Sequence, residues 1–346
     1  MRFFLILILC FFSFIIVGCL DRNSTKSSID EGAINSTVSQ IPAPTRYIIT
    51  VGISTETAVV PTDYRNLILE NRNDLEKTPP GTYLLYTDWK SSNNVFGINI
   101  KTKEEINISE NMYSYSNDRN LVAYLDDDRN LMILNLNTEE EEIALNLRCY
   151  GGNWSPDDRY LAINCEDKIY VIRTKDFDVQ NMTSWAHPSV DSFQNPSWSP
   201  DGKWIATTYH QLNSLNSTED NGIYLIESGC IEHNSLCEDL SGPFFPFSIH
   251  SEYSWSPDSE HIVTYINNAL QVVNIKTTET IILIEQIFDV GGLFWSLDDD
   301  WIYFSQFSRS ESENAINIYQ ISAQGGEPIL VADDKGYIFG LIEVSN

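Results

Sequence analysis

The side chains able to do chemistry in this 346-residue chain are few: five histidines, six cysteines and two runs of aspartate. The histidines are His187, His210, His233, His250 and His261. Imidazoles bind divalent metals and move protons near neutral pH. None stands in the H-E-x-x-H spacing that puts two ring nitrogens on one zinc, and no cysteine stands in a C-x-x-C or mixed Cys/His zinc pattern. The G-x-S-x-G nucleophile elbow and the glycine-rich phosphate loop are likewise missing. Asp126-Asp127-Asp128 and Asp298-Asp299-Asp300 lack the alternating ligands of a calcium loop and read as solvated turn residues, as does the Glu139 to Glu142 run. The sequence thus offers no catalytic residue, no metal site and no cofactor motif.

Two cysteines belong to the N-terminus. Arg2 is the one charge before Asp21, and Phe3 to Val17 is an almost unbroken apolar run, shorter than the ~20 residues a spanning helix needs. It ends at Ile16-Val17-Gly18-Cys19, which resembles the bacterial lipobox. That resemblance implies a signal peptide over 1–18 that takes Cys10 with it. It also implies a lipidated Cys19 as the new N-terminus and an exported protein anchored to the cell envelope on its extracytoplasmic side. More than one acyl chain suffices for stable attachment. Residues 19–44, rich in Ser, Thr, Asn and Pro, read as a flexible tether. Residues 45–79 include a strand-like stretch, Tyr47 to Ile53, with no evident place.

Net charge is −28, and cleavage before Cys19 removes Arg2 and no acid, giving −29. Such a surface repels phosphate backbones, so nucleic acid is excluded as a partner. Hydrophobic residues make up 42% of the chain and aromatics 12%, enough for a sizeable core in the ~300 residues that remain.

Self-similarity organises the body. Asn153-Trp154-Ser155-Pro156-Asp157-Asp158, Ser197-Trp198-Ser199-Pro200-Asp201-Gly202, Ser254-Trp255-Ser256-Pro257-Asp258-Ser259 and Phe294-Trp295-Ser296-Leu297-Asp298-Asp299 align, with Ser114-Tyr115-Ser116-Asn117-Asp118-Arg119 as a weaker copy. The aligned serines are spaced by 39, 44, 57 and 40 residues, a period of propeller blades. Ser-Pro-Asp-Gly suits a type I turn, with Pro fixing φ at its second position. Alternating stretches such as Tyr160-Leu161-Ala162-Ile163 and Trp204-Ile205-Ala206-Thr207 follow each turn as strands should. The W-S-P-D repeat resembles that of TolB and of the propellers of prolyl-oligopeptidase-type peptidases, over roughly residues 80–346. In that resemblance Trp154, Trp198, Trp255 and Trp295 pack between blades, and Asp157, Asp201, Asp258 and Asp298 hold turns. Tyr115, Asn117 and Leu297 are departures that mark divergent blades.

The expected fold is all-β: a six-bladed propeller over 80–346, with a seventh blade left open by residues 45–79. Residues 82–108 supply three strands of one blade and Tyr337 to Ile342 supplies the fourth, closing the ring and removing its edges. If Trp154 opposes Tyr160 across the turn, paired position numbers sum to 314 and Cys149 faces Cys165, within disulfide reach. Cys230 and Cys237 enclose a short loop and are the second expected bridge, since export favours oxidation.

In this topology the motif turns lie at one end of the blades. Second-to-third and interblade connections lie at the other, where every long insertion falls: the loops expected from Thr87 to Asn94, Thr183 to Pro196, His210 to Gly222, Cys230 to Ser251 and Gln306 to Ala315. That end carries Trp89, Trp185, His187, Phe193, His210, Phe244, Phe245, Phe247 and His250, a candidate binding face. The expected function is a membrane-tethered extracytoplasmic propeller that binds a protein or a small or oligomeric ligand. The alternative comes from the resemblance: some TolB-like propellers are pectate-fragment lyases that hold a metal with histidines around the channel, and His187, His210 and His250 are the residues to converge there.

Overall fold

The computed structural model describes residues 68–69, 79–87, 95–109, 114–183, 192–213, 218–231, 245–247, 252–309 and 314–344, all within one of the two compact units into which the chain divides. The described strands form six four-stranded antiparallel sheets. Each sheet is a blade: one (81–109 with 338–344), two (114–145), three (149–181), four (192–247), five (253–284) and six (290–332). Blades two to six take their strands in chain order. Blade one takes Ile338–Val344 as its first strand, antiparallel to Gly81–Thr87.

Five motif turns join first strands to second strands, and all five are built alike. The motif serine is buried and its Oγ donates to the aspartate two residues on, at 2.5–2.7 Å. The same Oγ accepts the backbone N–H that opens the second strand, at 2.9–3.0 Å. One hydroxyl thus satisfies both sides of the turn. The residue after the motif aspartate is left-handed in every copy: Arg119, Asp158, Gly202, Ser259 and Asp299 have φ of 58°, 57°, 71°, 62° and 66°. Glycine adopts this region at least cost, yet only blade four uses it. In two of the other copies the side chain is put to use between blades. Asp158 accepts from the backbone N–H groups of Asn117 (2.7 Å) and Asp118 (2.8 Å) in blade two, and Ser259 Oγ accepts from Asp201 N (2.9 Å) in blade four. Asn117 replaces the motif proline, and a proline has no N–H to give.

The core lies between blades. Trp154, Trp198, Trp255 and Trp295 are each buried in a cluster shared with the preceding blade. Trp154 Nε1 donates to Ser114 O at 3.1 Å and Trp255 Nε1 to Ser197 O at 3.2 Å. Trp198 Nε1 is buried with no partner among the described residues. Blade two is the exception. It offers Tyr115 instead of tryptophan, and Ile68, fully buried, packs with Val122, Tyr124 and Leu134. Part of segment 45–79 therefore covers one face of blade two. The rest, including Tyr47 to Ile53, lies outside the described residues.

Two expectations are corrected here. Trp154 opposes Leu161 and Gly152 opposes Ile163, so the pairs sum to 315 and not 314; a bulge between Cys149 and Gly151 then sets Cys149 opposite Cys165. The motif serine occupies the turn by hydrogen bonding to Tyr160 N, which moves the first strand pair out by one. The segments read as loops at 210–222 and 306–315 are instead hairpin extensions. Trp204–Asn213 pairs with Thr218–Glu227, and Trp301–Arg309 with Asn314–Ser322.

Candidate functional site

The first strands line a central channel with a cavity of about 370 Å³, walled by Gly151 to Asn153 of blade three, Gln194 to Ser197 of blade four, Glu252 and Tyr253 of blade five, residues of 290–294 in blade six, and Ile338 and Phe339 of blade one. In blades three to six these first-strand residues lie just upstream of a motif tryptophan. The motif Trp turns into the blade junction, and the strand before it is left facing the axis.

Glu252 is the one acid among the described residues of this wall. Its carboxylate reaches from blade five to blade six, where the backbone N–H groups of Gly292 and Leu293 donate to it. Burial in the channel outweighs those two bonds and pushes its pKa up to about 7. Gly292 makes the approach feasible. It is the bulged residue between the Gly291–Ser305 and Leu293–Phe304 pairs, with φ at 62° and a would-be Cβ only 2.0 Å from Ile338 O. Any side chain there collides with the closing strand. Tyr253, next to Glu252, directs its hydroxyl at the carbonyls of Ala206 (2.8 Å) and Asn195, and burial raises its pKa, so it stays neutral. Thr207 and Thr208 both donate to Gln194 O, at 2.7 and 3.0 Å, which fixes the adjoining strand.

Of the residues nominated from the sequence, His210 lines the cavity, half-buried. Phe193 does not belong to a binding face. It lies on Ser192–Trp198, 2% exposed, edge-on to Tyr224 with ring centroids 6.1 Å apart. Strand alternation, unseen when the stretch was read as a loop, turns it into the core. Phe245 and Phe247 fall on the outer strand of blade four, with side chains outside the described set. Trp89, Trp185, His187, Phe244, His250, Cys19 and Cys237 lie outside the described residues altogether. Cys149 and Cys165 are joined, with S–S 2.02 Å and both sulfurs buried. Cys230 is buried at the end of the short 3₁₀ turn Ser228–Ile231, its carbonyl accepting from Gln180 Nε2 at 3.4 Å. Among the described residues no three His, Cys, Asp or Glu side chains group as a metal site.

The channel residues were missed because they carry no motif of their own. A positional signal existed. Three residues before each motif aromatic the described blades carry Gly151, Asn195, Glu252 and Gly292, so an alignment on the tryptophans singles out Glu252 as the ionisable member.

No protein-family model matches the chain, and no curated protein matches it in sequence. Solved structures do match in fold. TolB from Acinetobacter baumannii is similar at TM-score 0.51 with 13% identity, covering 76% of this chain and 66% of that one. This chain has a TolB-like propeller fold. It spans just under two thirds of the length of that TolB. A chain in a nidogen/laminin complex is similar at TM-score 0.51 and 8% identity, covering 75% of this chain and 97% of that one. An oligogalacturonate lyase solved with manganese reaches 0.49 at 11% identity, covering 74% and 73%, too distant to bring its chemistry to this chain.

Proposed function

We propose that this chain is an extracytoplasmic, lipid-anchored binding propeller whose partner, a protein or other ligand, engages the end of the channel opposite the motif turns. The carrying observation is the contrast in unfilled space. The motif turns spend their polar groups on one another, while the first strands surround an open cavity furnished with Glu252 and His210. The lipobox-like Ile16-Val17-Gly18-Cys19 supports export and attachment at the cell envelope. No helix among the described residues is long and apolar enough to cross a membrane.

A lyase acting on acidic sugars is the weaker reading. Above pH 7 the Glu252 carboxylate repels a uronate in the same cavity.

The test is site-specific photo-cross-linking in intact cells. A photoreactive residue at position 210 should capture a discrete partner, and one at Lys203, in a motif turn, should not. Equal capture at both positions, or none at 210, defeats the proposal. Anchoring is checked separately: Cys19→Ser should abolish fatty-acid labelling and release the protein from membranes. A Cys19→Ser chain that keeps Met1 and stays membrane-bound overturns the lipobox reading.

A further inference from the structure

Among the described residues the channel wall combines a single acid with amides, glycines and apolar side chains, and no lysine or arginine lines it. We propose that this cavity is a binding site for an organic cation, a primary ammonium or guanidinium on a short hydrocarbon stem, with its charge held at the Glu252 carboxylate. This rests on the reading of the channel end as the binding end and names the class of ligand.

Charge is the first support. Glu252 belongs to a protein of net charge −28, whose field concentrates cations and repels anions at a low-dielectric cleft. Geometry is the second. The N–H groups of Gly292 and Leu293 fix the carboxylate but use only part of its roughly four acceptor sites; the remainder serve the cavity. Asn153, Gln194 and Asn195 stand on the same wall and supply further acceptors for N–H donors. Size and lining are the third. About 370 Å³ suits a small organic molecule and far exceeds a bare metal ion. The apolar wall of Leu293, Phe294 and Ile338 suits methylene groups and not a hydrated ion. The described side chains offer no trio of His, Cys, Asp or Glu for a divalent metal.

Ionised Glu252 is the binding form, so affinity should rise as pH climbs through about 7. The other titratable groups around it are Tyr253, held neutral by burial, and His210 on the cavity wall. On the adjoining strand Tyr265 interacts with Asp289. Burial and the two amides are what move Glu252.

Calorimetric titration of the purified full-length protein tests this with n-hexylammonium, hexanoate and hexanol, which share one stem. Hexylammonium should bind at pH 8, about tenfold or more weaker at pH 5.5, while hexanoate and hexanol show no binding. E252Q should weaken it at least about tenfold at pH 8, and H210Q should keep the pH dependence. If E252Q fails to fold, the unmodified protein still decides. Titration at pH 6.5 in buffers of different ionisation heat should show roughly half to one proton released per bound cation, as expected for a carboxylic acid of that pKa. Equal binding of the neutral or anionic probe, an unaffected E252Q, or no proton release overturns the proposal. N-acetyl-lysine methylamide separates two sources of the same chemistry: tighter binding than hexylammonium assigns the site to a lysine of a partner protein, weaker binding to a free amine. Cross-linking at position 210 without hexylammonium binding removes the cation site and leaves the binding end standing. Hexylammonium binding without any cross-link keeps the cation site and removes the macromolecular partner.

Discussion

The two ends of these blades are made by the same strands and treat polar groups in opposite ways. At the motif end, Ser155 Oγ holds Asp157 and Tyr160 N, and Asp158 crosses to the turn of the previous blade, so donors and acceptors close on one another. At the channel end, Glu252 is carried inside by a strand that has just left the repeat, and its carboxyl is costlier to ionise there than in water. Repetition gives stability at one end. Departure from repetition gives a site at the other.

That division fails if the motif tryptophans are dispensable. Trp255→Ala should cost about 3–5 kcal/mol in denaturant melts, because it empties a site shared by blades four and five and strands Ser197 O. A near-native melt with altered ligand binding would move Trp255 from scaffold to site.

Glu252→Gln should act with the opposite sign. The folded pKa lies near 7 and the ordinary value is 4.5. Above pH 7 the folded chain therefore carries a charge that the unfolded chain carries more cheaply. As pH falls from about 7 to 4.5 the native state takes up the proton first, and stability rises. The gain is at most about 3 kcal/mol for a group partly open to the channel. E252Q should be more stable than wild type at pH 8 and lose this slope. Two motif aspartates run the other way. Asp298, held low by its Ser296 bond, and Asp118, held low by the Asn120 amide, stabilise above their ordinary range and lose that contribution in acid. Urea midpoints across pH 4 to 8 separate the two; a flat wild-type profile in that window contradicts the channel assignment.

A finer test compares tryptophans within the scaffold. Trp255→Phe loses a hydrogen bond that Trp198→Phe does not, since Trp198 Nε1 is buried with no partner among the described residues. Trp198→Phe should be the milder change by about 1 kcal/mol. Of similar or smaller size, Asp158→Ala should cost about 1 kcal/mol by removing the clasp on Asn117 and Asp118. An effect near zero would make the interblade bonds incidental.

The fold was legible because its signal repeats. W-S-P-D spacing exposed five turns, strand alternation supplied the blades, and the unpaired strands at 82–108 and 337–342 pointed to each other. The site was legible only in part. His210 was named for its place at the loop-rich end, and it lines the cavity. Phe193 was misassigned because a stretch holding Pro196 and several polar residues looks like a loop, whereas it is a bulged strand with its aromatic turned inward. Glu252 escaped because one acid among 49 Asp and Glu residues has no local signature; only its offset from Trp255 marks it. The register error at Trp154 arose at the turn, where Ser155 Oγ accepts from Tyr160 N and moves the first pair out by one, and the bulge between Cys149 and Gly151 then restores the Cys149–Cys165 pairing. Ile68 could not be placed because its partners, Val122 and Leu134, are distant in sequence.

Pairing Gly81 with Val344 also sets the order in which this molecule can form. Blades two to six are built from neighbouring segments and need only local hairpins. Blade one must wait for residues at the far end of the chain, and closing so long a loop costs about 5 kcal/mol of chain entropy before any contact repays it. The leading strand is therefore made first and finds its partner last. Until then it presents an open edge, and the ring gains its final sheet only when residues 338–344 pair with it.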